Sequence, residues 1–286
     1  MFDGIHGLSC VENHVLAIMR EQGHKIVPLY HDAAVPMRKL FDNLIKCGER
    51  QEYFNSIARV QDILKNLGII NFTLNHNPSG ENVRSILHRH DCDAYILVRC
   101  TPLFAKQSLH ARGWRNDHYV RARVVGEGIE IINDIPEKAI VVDSKTFDEL
   151  YSGSYFEMHV LRELNKQDEL MLLKTRSFKP EDYQKSIYLK HDFDGIPNAG
   201  LRLRNLAGIH KILRYRLASY YNSYMDARFI FGTLPDVEQY FALFEYFNIK
   251  KNVSFEKYFR LFCDMNEAEN HVMTKLQERI ITHELS

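Results

Sequence analysis

The sequence lacks the features that mark three large classes of protein. Its 286 residues carry 37 basic and 37 acidic side chains, and this zero net charge argues against a dedicated nucleic-acid binder. No apolar run reaches the ~18 residues that a transmembrane helix needs. The first residues show no basic segment followed by an apolar stretch, so we expect neither a signal peptide nor membrane association.

Cysteine is also scarce, and the cysteines are scattered. An odd number without a Cys-x-x-Cys pair predicts neither a disulfide framework nor a cysteine zinc site, and it favours a cytoplasmic location. Gly-rich phosphate loops and a Gly-x-Ser-x-Gly element are absent. His88 and His90 diverge on a predicted helix, so we expect no bound metal. The five cysteines are Cys10, Cys47, Cys92, Cys100 and Cys263.

Hydrophobic periodicity predicts helices, then a compact antiparallel sheet, then a helical second half. An apolar stripe of Val11, Val15, Ile18 and Met19 marks the first helix, which Gly23 would end. We expect domains at 1–146 and 147–286. The predicted helices are 10–22, 34–47, 51–67, 81–90, 156–165, 201–222, 236–247 and 254–282. The predicted strands are 69–74, 94–100, 118–125, 129–133 and 139–142, with an irregular loop at 191–200.

Cys10 is the residue best placed for chemistry. Ser9 and Glu12 fit a capping box, which puts Cys10 at the first helical position. There the helix dipole and the unpaired amides favour a thiolate, the nucleophilic form of cysteine. The alternative is a small buried cysteine that packs as an apolar residue.

A cysteine nucleophile needs a base, and the base needs a partner that orients it. His118 opens a predicted strand, and the hairpin returns to the same end at Asn133 and Asp134. We assign Asp134 as the orienting partner of His118. Asn133 is the competing partner, because a shift of one residue exchanges the side chain that faces the cleft.

These residues resemble a known family. Segments 7–13 (GLSCVEN), 116–120 (NDHYV) and 133–136 (NDIP) are similar to the N-terminal domain of the butirosin-biosynthesis acyltransferase family, which itself resembles papain-like cysteine peptidases of the bacteriocin-processing type. The resemblance implies an α+β fold, in which the helix that carries the cysteine packs on an antiparallel sheet and a mainly helical domain follows. It also implies Cys10, His118 and Asp134 as the catalytic set.

The resemblance further implies a reaction and its partners. The enzyme would move a γ-glutamyl-4-amino-2-hydroxybutyryl group from an acyl carrier protein to an amine of an aminoglycoside such as ribostamycin. The donor would be held on the carrier's phosphopantetheine, with no cofactor bound to the enzyme itself. Papain-like peptidases place a glutamine about six residues before the cysteine, whereas this chain has Gly4 there. Two alternatives stay open: a cysteine peptidase or amidase, and a catalytically inactive scaffold that binds a carrier protein.

Two substrate surfaces can be proposed from charge. A cationic acceptor favours acidic loop residues, for which Asp117, Asp192 and Asp194 are the candidates, against the alternative of solvated turns. An acidic carrier protein favours a basic helix face, and segment 201–216 has no acid. Its candidates for carrier docking are Arg204, Lys211 and Arg214, against the alternative of an ordinary solvated face.

Overall fold

The computed structural model describes residues 1–48, 59–89, 94–110, 118–174, 179, 183–250 and 253–284. The described helices are α1 (Cys10–Glu21), α2 (Met37–Leu40, continued by a π-helix over Phe41–Cys47), α3 (Val60–Asn66), α4 (Gly80–Arg89), α5 (Pro102–Gln107), α6 (Ser144–Leu150), α7 (Lys166–Lys174), α8 (Ala199–Tyr224), α9 (Arg228–Phe231), α10 (Leu234–Ile249) and α11 (Phe255–Glu284). Short 3-10 helices cover Val27–Tyr30 and Lys190–Phe193. Within these ranges, no helix is long and apolar enough to cross a membrane.

The described strands form one antiparallel sheet of six in the order β1-β6-β2-β3-β4-β5. They are β1 (Ile70–His76), β2 (Ala94–Cys100), β3 (His118–Val125), β4 (Gly128–Asn133), β5 (Lys138–Val142) and β6 (Tyr151–Val160). The predicted hairpin is confirmed, since Val125 pairs with Gly128 across a turn in which Gly126 has φ of +60°. The sheet and the helices together confirm the α+β class.

The chain divides into two units, each made of two segments. Met1–Ile26 and Arg59–Asp168 form the first, and Val27–Ala58 and Glu169–Ser286 form the second. This division differs from the expected boundary at 146. The sheet continues beyond that point through β6, and the chain enters the helical unit once before returning to the sheet.

Strand β6 corrects the helix predicted over 156–165. It lies between β1 and β2 and pairs with both, so backbone hydrogen bonds on its two edges decide its conformation. Its aromatic residues suit a sheet surface: the ring of Phe156 stacks on Phe72, with centroids 4.6 Å apart, and contacts Tyr119. Tertiary pairing therefore overrides a local pattern that also fits a helix.

Helix α1 packs beside β3 in the first unit. Its predicted apolar stripe is buried as expected, with Val15, Ile18 and Met19 fully inaccessible. An ion pair of 2.7 Å joins Arg121 on β3 to Glu21 near the end of the helix. This packing holds the start of α1 against the start of β3, where the candidate site lies.

The second unit is helical, as expected for this part of the chain. Helix α8 packs along α10, and α11 completes the predicted set. Four aromatic rings from separate segments form one cluster, in which the centroids of contacting rings lie 4.6–5.8 Å apart: Phe41, Tyr188, Phe193 and Phe262. Burial of such rings supplies much of the energy that fixes helix positions.

Candidate active site

Cys10 occupies the first position of α1, as predicted. The Ser9 hydroxyl accepts a hydrogen bond from the backbone N–H of Glu12 at 3.2 Å, which is one half of the expected capping box. The other half differs: the Glu12 carboxylate accepts from the backbone N–H groups of Leu8, at 2.6 Å, and Val60, at 2.9 Å. Glu12 thus connects the residues just before Cys10, and the start of α3, to the first turn of α1.

The Cys10 thiol is 3% exposed and is more protonated than its place on the helix suggests. Burial, followed by the charge of Asp134, raises the pKa of Cys10 well above its usual value. Backbone N–H groups of Tyr119 and Val11 oppose this rise and are outweighed. The helix start therefore favours the thiolate as expected, but burial outweighs this effect and favours the protonated thiol.

The thiol lies against the start of β3. The backbone N–H of Tyr119 donates to Cys10 Sγ at 3.5 Å, and His118 is the residue directly before it. His118 is 2% exposed and stands at the first position of the strand. The packing of α1 on β3 thus brings the predicted nucleophile beside the predicted base.

Asn133, and not Asp134, orients the imidazole. Nε2 of His118 lies 2.5 Å from Oδ1 of Asn133, while Nδ2 of Asn133 donates to the carbonyl of Pro136 at 2.7 Å. A carbonyl only accepts, so the amide oxygen of Asn133 must face His118 and accept from Nε2–H. This bond fixes the tautomer in which Nδ1 of His118 is the basic nitrogen.

Asp134 instead ties the hairpin to the cysteine helix. Its Oδ2 accepts from Nδ2 of Asn13 at 2.8 Å, and Oδ1 of Asn13 accepts from the backbone N–H of Gly7, also at 2.8 Å. A Cβ at Gly7 would lie 2.6 Å from the backbone nitrogen of Asn13, so only glycine permits this approach. The chain leading to Cys10 is thereby fixed relative to the end of β4.

His118 is poised as a neutral base. Burial lowers its pKa, against the opposing effects of the Asn133 hydrogen bond and the Asp134 charge. A raised thiol pKa and a lowered imidazole pKa both favour the uncharged pair over a thiolate and imidazolium. The arrangement can therefore perform general-base catalysis, in which His118 takes the thiol proton as the sulfur attacks.

The raised thiol pKa predicts slow and strongly pH-dependent alkylation of Cys10. Thiolate is the reactive form, so its fraction, and the rate with iodoacetamide, should rise about tenfold per pH unit from pH 7 to pH 9. Peptide mass spectrometry after timed labelling measures this rate. Cys47, which is exposed, serves as the internal control and should be modified first. Faster labelling of Cys10 than of Cys47 at pH 7 would contradict the pKa direction.

The acidic residues expected to bind the acceptor receive no support from their surroundings. Asp192 belongs to the second unit, and its Oδ2 accepts from the backbone N–H of Leu189 at 2.8 Å, so it caps a 3-10 turn. Asp194 follows that turn and is exposed. Asp117 lies outside the described residues. Turn chemistry accounts for Asp192.

The basic face expected on α8 is already paired within the second unit. Arg204 binds Glu245, and Lys211 lies 3.3 Å from Glu238 and over the ring of Phe241. Arg214 is 3% exposed and is bound to Glu269, which also accepts from His210 at 2.5 Å. This pairing with acids of α10 and α11 supports the alternative of an ordinary paired face, and carrier docking stays a prediction.

The cluster of Arg214, His210 and Glu269 predicts a large loss of stability on mutation. Burial alone would raise the pKa of Glu269, but the charge of Arg214 and the contact with His210 lower it to about 2. Arg214→Met removes the main counter-charge of a buried carboxylate, so we expect a loss of about 3–5 kcal/mol in urea unfolding. Arg204→Met breaks a partly exposed pair and should cost about 0–1 kcal/mol. Equal losses of unfolding free energy in the two variants would show that the buried cluster stabilises the protein no more than the partly exposed pair does.

Two contributors to the site were not predicted. Asn13 lies three residues after Cys10, a spacing that puts both on one helix face, and this signal could have identified it. His14 is fully buried beside the site, and burial lowers its pKa to about 4, so it is a neutral neighbour of His118 and Asp134. Among the described residues, no three His, Cys, Asp or Glu side chains are grouped to hold a metal ion.

Comparison with known proteins gives no match to a family model or to a curated protein. The resemblance to the butirosin acyltransferase family therefore rests on the motif residues themselves. The structure adds the geometry of Cys10, His118 and Asn133, which is independent of that resemblance.

Proposed function

We propose that this protein is a cysteine acyltransferase that moves an acyl group from a thioester to an amine. One observation carries the proposal: the thiol of Cys10, at a helix start, accepts from the residue next to His118, whose imidazole is held by Asn133. Nucleophile, base and orienting amide are the parts that covalent catalysis by cysteine requires.

The reaction has two halves. In the first, the Cys10 sulfur attacks the thioester carbonyl while His118 takes the thiol proton, and that proton then passes to the departing thiol of the donor. In the second, the acceptor nitrogen attacks the acyl-enzyme, and the bond between the carbonyl carbon and Cys10 breaks. His118 takes a proton from the attacking nitrogen and gives it to the departing Cys10 sulfur. The backbone N–H of Cys10 is the oxyanion donor we propose.

The substrates follow from the family resemblance. The donor is γ-glutamyl-4-amino-2-hydroxybutyrate on the phosphopantetheine of an acyl carrier protein, and the acceptor is an amine of a ribostamycin-like aminoglycoside. The missing glutamine before Cys10 supports transfer from a thioester over peptide cleavage. A thiol is a good leaving group, so a thioester needs less stabilisation of the oxyanion than a peptide does.

Intact-mass spectrometry tests the proposal directly. The protein is incubated with an acylated carrier protein, or with an N-acetylcysteamine thioester, before ribostamycin is added. We expect an acyl adduct on Cys10 that disappears as acylated ribostamycin forms. An adduct that is lost only to water would indicate an amidase or peptidase, and no adduct with either donor would indicate a scaffold.

A further inference from the structure

Asp134 is a buried acid that the first half-reaction does not use. Its side chain is 2% exposed, and Oδ2 accepts from Asn13. In the part of the chain that the structure describes, Oδ1 has no hydrogen-bond partner. Burying an acceptor without a donor destabilises the folded state, so this oxygen calls for a functional explanation.

The carboxylate lies near the two catalytic side chains, Cys10 and His118, and near two of their neighbours. Its charge contributes to the raised pKa of both Cys10 and Cys100, and it acts against the lowering of the pKa of His118 and of His14. Cys100 is the strand partner of His118 in the pairing of β2 with β3. Geometry places it there too: Asp134 directly follows Asn133, which holds His118, and it bonds Asn13, which lies three residues after Cys10 on α1.

An amine acceptor must lose more protons during the reaction than water does. An alkylamine is an ammonium at neutral pH, since a lysine-type amine has a pKa of about 10.4. Its nitrogen must lose one proton to become nucleophilic and a second as the amide forms. His118 can accept only one of these. Water, in contrast, loses a single proton when it attacks.

We propose that Asp134 receives the ammonium group of the acyl acceptor and takes its first proton. This inference rests on the proposed function. The ammonium gives one proton to Asp134, and the neutral nitrogen then bonds to the acyl carbon as the carbon–sulfur bond breaks. The second proton passes through His118 to the Cys10 sulfur, and Asp134 later releases its proton to water.

The buried setting favours this transfer. A carboxylate and an ammonium become two neutral groups when the proton moves between them, and a buried site disfavours charged groups. The hydrogen bond from Asn13 holds Oδ2 in place, which leaves Oδ1 to meet the acceptor. Asp134 thereby selects amines over water.

Single-turnover transfer of the acyl group by Asp134→Asn tests whether Asp134 takes a proton from the acceptor. Asparagine keeps the shape and can still accept from Asn13, and formation of the acyl adduct reports that the variant is folded. Acyl-enzyme is prepared with the N-acetylcysteamine thioester and then given ribostamycin or hydroxylamine. Hydroxylamine is largely unprotonated at neutral pH and has one proton to lose. We expect the ratio of transfer to ribostamycin over hydroxylamine to fall about 10²-fold or more.

Three outcomes are distinguishable. An unchanged ratio, with the adduct formed, would overturn the role of Asp134 while leaving the acyltransferase proposal intact. Absence of an adduct in the wild-type protein would overturn both. Added formate supplies a carboxylate. If it restores transfer to ribostamycin in Asp134→Ala, the result would support the role of the Asp134 carboxylate.

Discussion

Cys10→Ala should abolish acyl transfer and prevent the acyl adduct, with a loss of about 10⁴-fold or more in rate. The sulfur forms the covalent bond to the acyl group, and no other described thiol stands at a helix start beside His118. Alanine keeps the helix start intact, since Ser9 still caps α1 through the N–H of Glu12. Circular dichroism and urea unfolding should therefore report a folded protein.

Cys100→Ala is the matched control for this variant. Cys100 is also a buried thiol of the first unit, with its pKa raised to about 12 chiefly by burial, but it lies within strand β2 and not at a helix terminus. The adduct should persist in Cys100→Ala. Transfer at a comparable rate by Cys10→Ala, or loss of the adduct only in Cys100→Ala, would refute the assignment of the nucleophile.

Local signals identified the parts of the site that local sequence controls. The Ser9 cap fixes where α1 begins, and the apolar stripe fixes which face of the helix is buried. The Gly126 turn fixes the hairpin that returns to the level of His118. Each of these depends on residues close in sequence, so the position of Cys10 and the strand start at His118 could be predicted.

Side-chain direction at the end of β4 could not be predicted in the same way. Asn133 and Asp134 are adjacent, and the strand ends between them, so alternation no longer decides which one faces His118. The bond from Asn133 to the Pro136 carbonyl and the bond from Asn13 to Asp134 make the choice. Both depend on the folded turn, and one of them joins residues 121 positions apart.

The pairing of the basic face of α8 could not be predicted for a related reason. An amphipathic pattern shows that one face is apolar and the other charged, but it does not show what covers the charged face. Here Glu238 and Glu245 on α10 and Glu269 on α11 supply the partners of Lys211, Arg204 and Arg214. Only the packing of three helices reveals that these cations are paired within the second unit.

His118→Ala should slow formation of the acyl-enzyme by about 10²–10⁴-fold, because the thiol is protonated at rest and needs a base when it attacks. Asn133→Ala keeps the base and loses only the bond that fixes its tautomer, so we expect a smaller loss. Its pH profile should also change: without the bond that stabilises the charged ring, the pKa of His118 falls further, and the acid limb moves to lower pH.

Asp134→Asn is the comparison that decides between the two candidate orienting residues. Removing its negative charge makes the Cys10 thiolate easier to form, so acylation by the thioester should slow less than in Asn133→Ala. The acylation reaction is quenched at successive times and the intact mass of the protein is measured. This gives the acylation rate of each of the two variants with the same donor. If Asp134→Asn slows acylation more than Asn133→Ala does, the carboxylate orients His118 after all. The amide contact of 2.5 Å would then be a packing contact with no part in the reaction.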